Sequence, residues 1–369
     1  MKVLQLSSEK EWRGGEQQIA YLLHELPQYE VENFVGVRKK SSFESFCGKN
    51  GAQYVTLSFS MLSLLKAACR LKRFCDENNI DVVHAHSSKS HTLAIVSAAV
   101  GNKSKIVVSR RVDFPIKTTL FNKWKYNHPK LAAVLCVSNK VKSRVSEIVS
   151  EKQKCITVYS GIDVSRFETP KQNALEVRRQ LGLPDNSFVI GNTSALEPEK
   201  DYLTFIKVIK SIHESGVPAV GVVVGKGKQL EVLKAFVASE GLADLITFTG
   251  FQTNIESILG AFDLFLMTST QEGLGTSVLD AFASHVPVVS TNAGGLSEMV
   301  VDGQSGLLAP VGDFQALASK CVQVLTNNAL RKDLLEGALV KLKDFTKEKM
   351  ASDTFAVYKN ITISQDRPS

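Results

Sequence analysis

The chain has 369 residues, 44% hydrophobic and 22% charged, an ordinary balance for a soluble globular protein. That length exceeds what one hydrophobic core usually serves, so two domains are expected, and no stretch is long and apolar enough to span a bilayer. The net charge of +7 is uneven: residues 1–170 hold 26 Lys and Arg against 15 Asp and Glu, a balance of +11, and residues 171–369 hold 18 against 22, a balance of −4. A first half this basic is expected to face something anionic.

In chain order, the opening MKVLQLSSEKEWRGG has too short an apolar run for a signal peptide, since Glu9 and Glu11 follow at once. Apolar runs at 2–6, 33–37, 52–57, 81–85, 105–109, 132–137 and 156–159 read as strands, with amphipathic helices such as 16–26 and 63–78 between them. That alternation predicts a parallel sheet covered by helices on both faces. A polar stretch at 160–173, with Gly161 and Pro170, reads as the linker. The pattern then restarts with strands at 187–192, 220–225, 246–250, 263–269 and 286–291, and ends in a long helical stretch over about 329–360. The fold class is therefore α/β, with two doubly wound Rossmann-like units in tandem, and such sheets bind ligands beyond the carboxyl ends of their strands. We expect domains at 1–165 and 166–349, with a C-terminal helix at about 350–369 packing back on the first and a cleft between the two.

Three features carry candidate chemistry. The segment 268–289, TSTQEGLGTSVLDAFASHVPVV, runs from a strand's carboxyl end through Gly273 and Gly275 into a helix opened near Thr276 or Ser277. Free amides and the positive end of the helix dipole favour a phosphate there, and bare glycine backbone allows close approach. Glu272 and Asp280 flank that cradle, and two carboxylates suit the hydroxyl donors of a sugar and a ribose. Taken alone, the segment reads equally well as a polar loop with a solvated acid. His84 and His86 close the strand at 81–85, where a functional side chain is expected, but no third ligand lies near enough in sequence for a metal. Residues 103–130 gather Lys103, Lys105, Arg110, Arg111, Lys117, Lys123, Lys125 and Lys130 among Phe114, Phe121, Trp124 and Tyr126. That mixture suits an anionic membrane surface, a lipid-linked substrate or single-stranded nucleic acid, and equally a solvated helix with a core-facing aromatic side. The six cysteines form no CxxC pair and read as reduced, mostly buried thiols of a cytosolic enzyme.

Six segments in order resemble the retaining glycosyltransferases of family 4, which have the GT-B fold. RGGEQQIAYLL resembles the family's N-terminal glycine loop, DVVHAHSS its fourth-strand segment and VYSGIDVSRF its linker. ALEPEKDYLTFIKV resembles its R-x4-K-G segment, and QEGLGTSVLDAFAS its E-x7-E segment, followed by GLLAPVGD as a C-terminal strand and turn. The resemblance implies that Glu272 holds the donor sugar's hydroxyls and Asp280 the ribose diol, although Asp reaches about 1.5 Å less than the family's Glu. It implies that the amides of Gly273, Leu274, Gly275 and Thr276 approach the terminal phosphate, and that Lys200 neutralises the leaving diphosphate. The companion Arg of the family falls on Ala195, so that cation is missing, with Arg110 and Arg111 as candidate replacements. Gly14 and Gly15 match the flexible loop over the phosphates. Glu16 then reads as a dipole-complementing acid at the start of the first helix, and Trp12 as a lid or as packing. His84 is expected to touch sugar or phosphate, and Arg111 stands roughly where the family often places a His. The base is expected near Gly250 and Phe251, His285 is expected to be structural, and the GxG of residues 225–227 says little alone.

The implied activity is transfer of a hexose-type sugar, with retention, from a nucleotide-diphosphate donor to a glycan or lipid-linked acceptor in bacterial envelope polysaccharide or lipopolysaccharide synthesis. The expected chemistry uses no metal and no cofactor. A cytoplasmic protein is expected, with residues 103–130 as the candidate surface for a peripheral seat on the inner face of the membrane and with no nucleic-acid partner. Two rivals are a nucleotide-sugar 2-epimerase on the same fold and a non-catalytic sugar-nucleotide sensor.

Overall fold

In the computed structural model, residues 1–168 and 174–363 are described, so Pro170 of the expected linker and residues 364–369 of the expected last helix lie outside the described residues. Thirteen strands occur among them. The first seven are β1 (Lys2–Leu6), β2 (Glu32–Arg38), β3 (Tyr54–Leu57), β4 (Val82–Ala85), β5 (Lys105–Arg110), β6 (Leu131–Cys136) and β7 (Cys155–Thr157). The rest are β8 (Phe188–Thr193), β9 (Ala219–Val224), β10 (Ile246–Gly250), β11 (Leu264–Met267), β12 (Val288–Thr291) and β13 (Leu307–Ala309).

They form two sheets, ordered β3-β2-β1-β4-β5-β6-β7 and β10-β9-β8-β11-β12-β13, with every pairing parallel. Central strands such as β9 and β11 are buried along their whole length, which is why they read as unbroken apolar runs rather than alternating ones. The two sheets share one winding. Strand order reverses between β1 and β4 in the first and between β8 and β11 in the second, and a doubly wound sheet opens a crevice at such a reversal.

The chain divides into one unit of Met1–Gly161 plus the segment from Lys347 onward, and a second unit of Ile162–Thr346. These divisions fall a few residues before the expected 165 and 349. Ile162 is the reason at both places: it bridges Thr346 in parallel, and its N–H donates to the Phe345 carbonyl at 2.9 Å. The helical stretch expected over 329–360 is two helices, Asn328–Leu342 and Lys347–Ile363, because Phe345 buries its ring and Thr346 is extended. The second helix covers the first unit's core, where Met350, Ala351, Val357 and Tyr358 pack with Val3, Leu22, Val82 and Val107.

Candidate functional site

In the second unit, the loops after β8 and β11 meet at the strand-order reversal. Pro198–Lys200 forms one 3₁₀ turn, and Asp201, at φ 47°, then caps the helix Tyr202–Glu214 by accepting from the Thr204 N–H at 3.2 Å. The other loop fastens this turn in place. The Thr268 hydroxyl lies 3.0 Å from the carbonyls of both Lys200 and Asp201, and the Thr270 N–H donates to the Glu199 carbonyl at 2.8 Å.

Stitched this way, Lys200 Nζ forms an ion pair with Glu272 Oε1. Glu272 is buried, and the Ser269 hydroxyl donates to the same oxygen at 3.0 Å. Its backbone is clamped from β12's side: Gly295 N–H donates to the Glu272 carbonyl at 3.1 Å, and a Cβ on Gly294 would lie 1.9 Å from that carbonyl oxygen. Beneath the pair, Tyr202 Oη donates to Asn192 Oδ1 at 2.9 Å, and Asn192 Nδ2 donates to the Leu266 carbonyl at 2.7 Å. Burial raises the Tyr202 pKa and keeps it a neutral donor.

Gly275, at φ 93°, is the N-cap of the helix Thr276–Ala283, and a Cβ there would strike Leu296 at 2.6 Å. The glycine is therefore required by conformation and by packing. Val278 N–H turns back to the Gly275 carbonyl at 3.0 Å, and Thr276 and Ser277 carry the leading amides of a helix with its positive end beside Glu272. Leu274 is buried, so only its backbone is presented.

Asp280 lies one turn further along, half-buried, and burial raises its carboxyl to about 7, with Arg166 pulling down and Glu256 pushing up. Arg166 and Glu256 are themselves paired, with Nε to Oε1 at 2.8 Å. Asp280 thus differs from the acceptor-only carboxylate expected from sequence. Near neutrality it also carries a donor O–H. Ala195 is exposed and brings no charge, as expected from the missing arginine. Gly250, at φ 70°, ends β10, and Phe251 beyond it is 66% exposed.

In the first unit, Gly14 and Gly15 are the opening residues of the helix Gly14–Glu25, so they are not a free loop, and the helix begins ahead of the expected residue 16. A Cβ on either would meet no protein atom within 4 Å, so the protein's own packing does not require glycine there. Glu16 is buried, accepting from the Ser7 hydroxyl at 2.7 Å and the Arg13 N–H at 3.2 Å, the local capping role its position suggests. Trp12 packs its ring on Phe43 and Phe46 at 5.5 and 5.1 Å.

His84 and His86 are buried with rings 3.9 Å apart. His84 Nδ1 meets Tyr358 Oη at 2.5 Å and its Nε2 meets Ser109 Oγ at 2.8 Å, so both nitrogens are engaged within the protein. His86 Nε2 meets Gln5 Oε1 at 2.7 Å, which leaves Nδ1 to accept from Arg111 Nη1 at 3.0 Å. Burial above all, and then the Arg111 charge or the neighbouring His ring, hold both imidazoles well below the usual histidine range, and so neutral. Burial also lowers Arg111 to about 10, against the opposing pull of Glu16. A small cavity lined by His84, Ser109, Arg111, Tyr159 and Ser160 adjoins this network.

The basic stretch 103–130 is not the amphipathic helix weighed above. Its one helix, Leu120–Tyr126, buries Lys125 and Tyr126 but leaves Leu120, Phe121 and Trp124 exposed, with Lys117, Lys123 and Phe114 also outside. Among the described residues, no group of three or more His, Cys, Asp or Glu side chains is placed to hold a metal ion, and no helix is long and apolar enough to cross a membrane. All six cysteines are free thiols, five of them buried.

Sequence reasoning missed several partners in these sites: Ser269 and Gly294 at Glu272, Thr268 at Lys200, Arg166 at Asp280, and Gln5 and Tyr358 at the histidines. Only Gly294 had a local signal, the bare NAGG after a strand. Ser269 stands three residues before Glu272 in the same loop, and the remaining partners are brought in from distant segments by the fold.

Two doubly wound, parallel-sheet units in tandem are the architecture of the GT-B class. Anabaena Alr3699/HepE, crystallised in complex with UDP and glucose, shares the fold with a TM-score of 0.83 at 19% identity, over 99% of this chain and 100% of that one. The model of the Glycosyltransferase Family 4 domain matches residues 12–166 and that of glycosyl transferases group 1 matches residues 173–339, and the chain belongs to the family 4 glycosyltransferases. Among curated relatives, it is 24% identical to the N-acetyl-alpha-D-glucosaminyl L-malate synthase of Bacillus anthracis, over 80% of this chain and 79% of that protein. It is 26% identical to the UDP-Gal:alpha-D-GlcNAc-diphosphoundecaprenol alpha-1,3-galactosyltransferase of Escherichia coli, over 74% of this chain and 73% of that protein.

Proposed function

We propose that this glycosyltransferase moves a hexose-type sugar, with retention, from a nucleoside-diphosphate donor to an anionic glycan or lipid-linked acceptor of a bacterial envelope. One observation carries the reading: the Lys200–Glu272 pair stands beside the amide end of the helix Thr276–Ala283, where β8 and β11 part. A leaving diphosphate gains negative charge as the glycosidic bond breaks. Lys200 and the leading amides meet that charge without reorganisation, so no metal is assigned a role. Glu272 orients the sugar's hydroxyls and stabilises positive charge on the ring. We assign no carboxylate as a covalent nucleophile, and the departing phosphate takes the acceptor's proton on the same face.

Asp280, able to donate and accept, holds the ribose diol, and the base lies at Gly250 and Phe251. In the first unit, Arg111 is the acceptor's charge contact, His86 fixes its guanidinium, and His84 acts as a positioning group, since both its nitrogens are already taken. The anionic acceptor agrees with the L-malate and diphosphoundecaprenol named for the two relatives. The exposed basic and aromatic surface of 103–130 seats the protein on the inner face of an anionic cytoplasmic membrane.

The test is a thermal-shift comparison of nucleotide sugars, followed by an assay of donor hydrolysis and NMR of the released sugar. An α-linked donor giving an initially α product supports retention, whereas a β product overturns it. A nucleotide sugar interconverted without hydrolysis or transfer would favour the isomerase reading instead.

A further inference from the structure

The carboxyl edge of the second sheet presents two lysines in different electrostatic states. Lys200 is paired with Glu272, so part of its charge is met before any ligand arrives. Lys226, on the loop after β9, is exposed and forms no ion pair among the described residues. Its ammonium instead faces a ring: Nζ lies 5.4 Å from the centroid of Phe251, at the end of β10. Such a contact orients an ammonium without neutralising it.

The loop that carries Lys226 is fixed. Lys226 C=O accepts from the Leu196 N–H at 3.1 Å, and Gln229 N–H donates to the Leu196 carbonyl at 3.1 Å. A Cβ on Gly225 would sit 2.1 Å from the Ser194 carbonyl oxygen, and one on Gly227 would sit 2.3 Å from that of Leu196. Both would strike backbone, so this Gly-Lys-Gly lies flat on the loop holding Ala195 only because the residues flanking Lys226 lack side chains.

Strand order then places the residues. Along the edge run Phe251 after β10, Lys226 after β9, Lys200 after β8 and Glu272 after β11. Neighbouring strands stand about 4.8 Å apart, so the first and last of these loops are roughly 14 Å apart. A nucleoside diphosphate with its base at Phe251 and its terminal phosphate at the helix tip covers about that distance and must cross the end of β9.

We propose that Lys226 is a donor-binding residue that contacts the nucleoside-proximal phosphate, supplying the cation that Ala195 does not. This rests on the donor reading above and deepens it. Lys200 then serves the terminal phosphate, where charge develops, and the two lysines divide the diphosphate between them.

The experiment is calorimetric titration of the full chain with a nucleoside, its monophosphate and its diphosphate. The series is the one whose diphosphate most raises the wild-type melting temperature among UDP, GDP, ADP and dTDP. Lys226→Ala is expected to weaken the monophosphate and the diphosphate alike, by about ten- to a hundredfold, and to leave the nucleoside unchanged. Lys200→Ala is expected to weaken the diphosphate and spare the monophosphate, and Lys226→Arg to restore most of the loss. Wild-type monophosphate affinity in Lys226→Ala overturns the proposal, as does an equal loss for the bare nucleoside, which would make Lys226 part of the base platform. If no diphosphate binds the wild type, the donor reading fails and takes this inference with it. If one binds and Lys226→Ala binds it equally well, only this inference fails.

Discussion

Lys200 and Glu272 are 72 positions apart in sequence and form an ion pair, with the carboxylate carried on the loop that runs into the helix Thr276–Ala283. Two charges kept this close and largely out of water are a poor stability device, because desolvation offsets much of their attraction. They suit a site where a third charge arrives. As negative charge grows on a leaving phosphate, the ammonium can share itself between Glu272 and that phosphate without moving far. Lys200→Ala and Glu272→Ala are each expected to lower kcat by about two to three orders of magnitude in a donor-transfer assay. If the residues act as a unit, the double variant should lose little more than the worse single one. Near-normal turnover in either single variant would falsify its assigned role.

The second prediction concerns the clamp on Glu272. Gly294→Ala puts a methyl 1.9 Å from the Glu272 carbonyl oxygen, at a residue with φ 56°, so the loop must move and Glu272 with it. Gly303 provides the control, since its φ is 75° and a Cβ there meets no atom within 4 Å. Gly303→Ala should cost about 1 kcal/mol of stability and leave turnover intact. Gly294→Ala should lose both. Equal turnover in the two variants, measured beside their denaturant midpoints, would remove Gly294 from the site's support.

Much of this was legible in the sequence, and the parts that were not share a cause. Strand runs such as VGVVV are apolar because both faces of a parallel strand are covered, and that signal is local. Glu272 and the glycines beside it were legible for a similar reason, since they lie in a short loop between a strand and a helix, whereas Lys200 was singled out only through the family resemblance. The break at Phe345 was hidden because 329–360 has no proline or glycine at that point, and what stops the helix is contact with Ile162, far away in the chain. The burial of His84 was hidden for the same reason. Its partner Tyr358 arrives on a helix 274 residues later. In the basic stretch, charge was legible, but composition could not show that Lys125 turns inward while Phe121 and Trp124 stay out.

That division of side chains sets a third prediction. Leu120, Phe121 and Trp124 beside Lys117 and Lys123 form a surface with apolar groups to insert and cations to attract. Binding to vesicles rich in anionic phospholipid should weaken as salt is raised, because screening shortens the reach of exposed charge. Lys117→Ala/Lys123→Ala should weaken it further, and Trp124→Ala should weaken it at every salt concentration. Sedimentation with vesicles reads all three, and binding indifferent to salt and to the substitutions would end the proposal of a membrane-facing surface.

The fourth prediction follows from Asp280. Burial raises its folded-state carboxyl from 3.8 to about 7, so the folded protein holds this proton more tightly than the unfolded chain. Its contribution to stability is therefore fully present below about pH 4 and is lost as pH rises through about 7, the reverse of an ion-paired carboxylate. Asp280→Asn cannot ionise. The wild type should lose stability relative to this variant between about pH 4 and 7, by about 1 to 3 kcal/mol once partial exposure is allowed for, and run parallel to it above that range. Melting temperatures of the two proteins across that range give the comparison. Parallel curves would show that Asp280 titrates as an ordinary solvated acid, and would remove the donor O–H from its proposed contact with the ribose. A wild-type curve that falls away from the variant near neutrality would show that Asp280 reaches a ligand partly as a neutral acid, and nucleotide affinity should then change over the same pH interval.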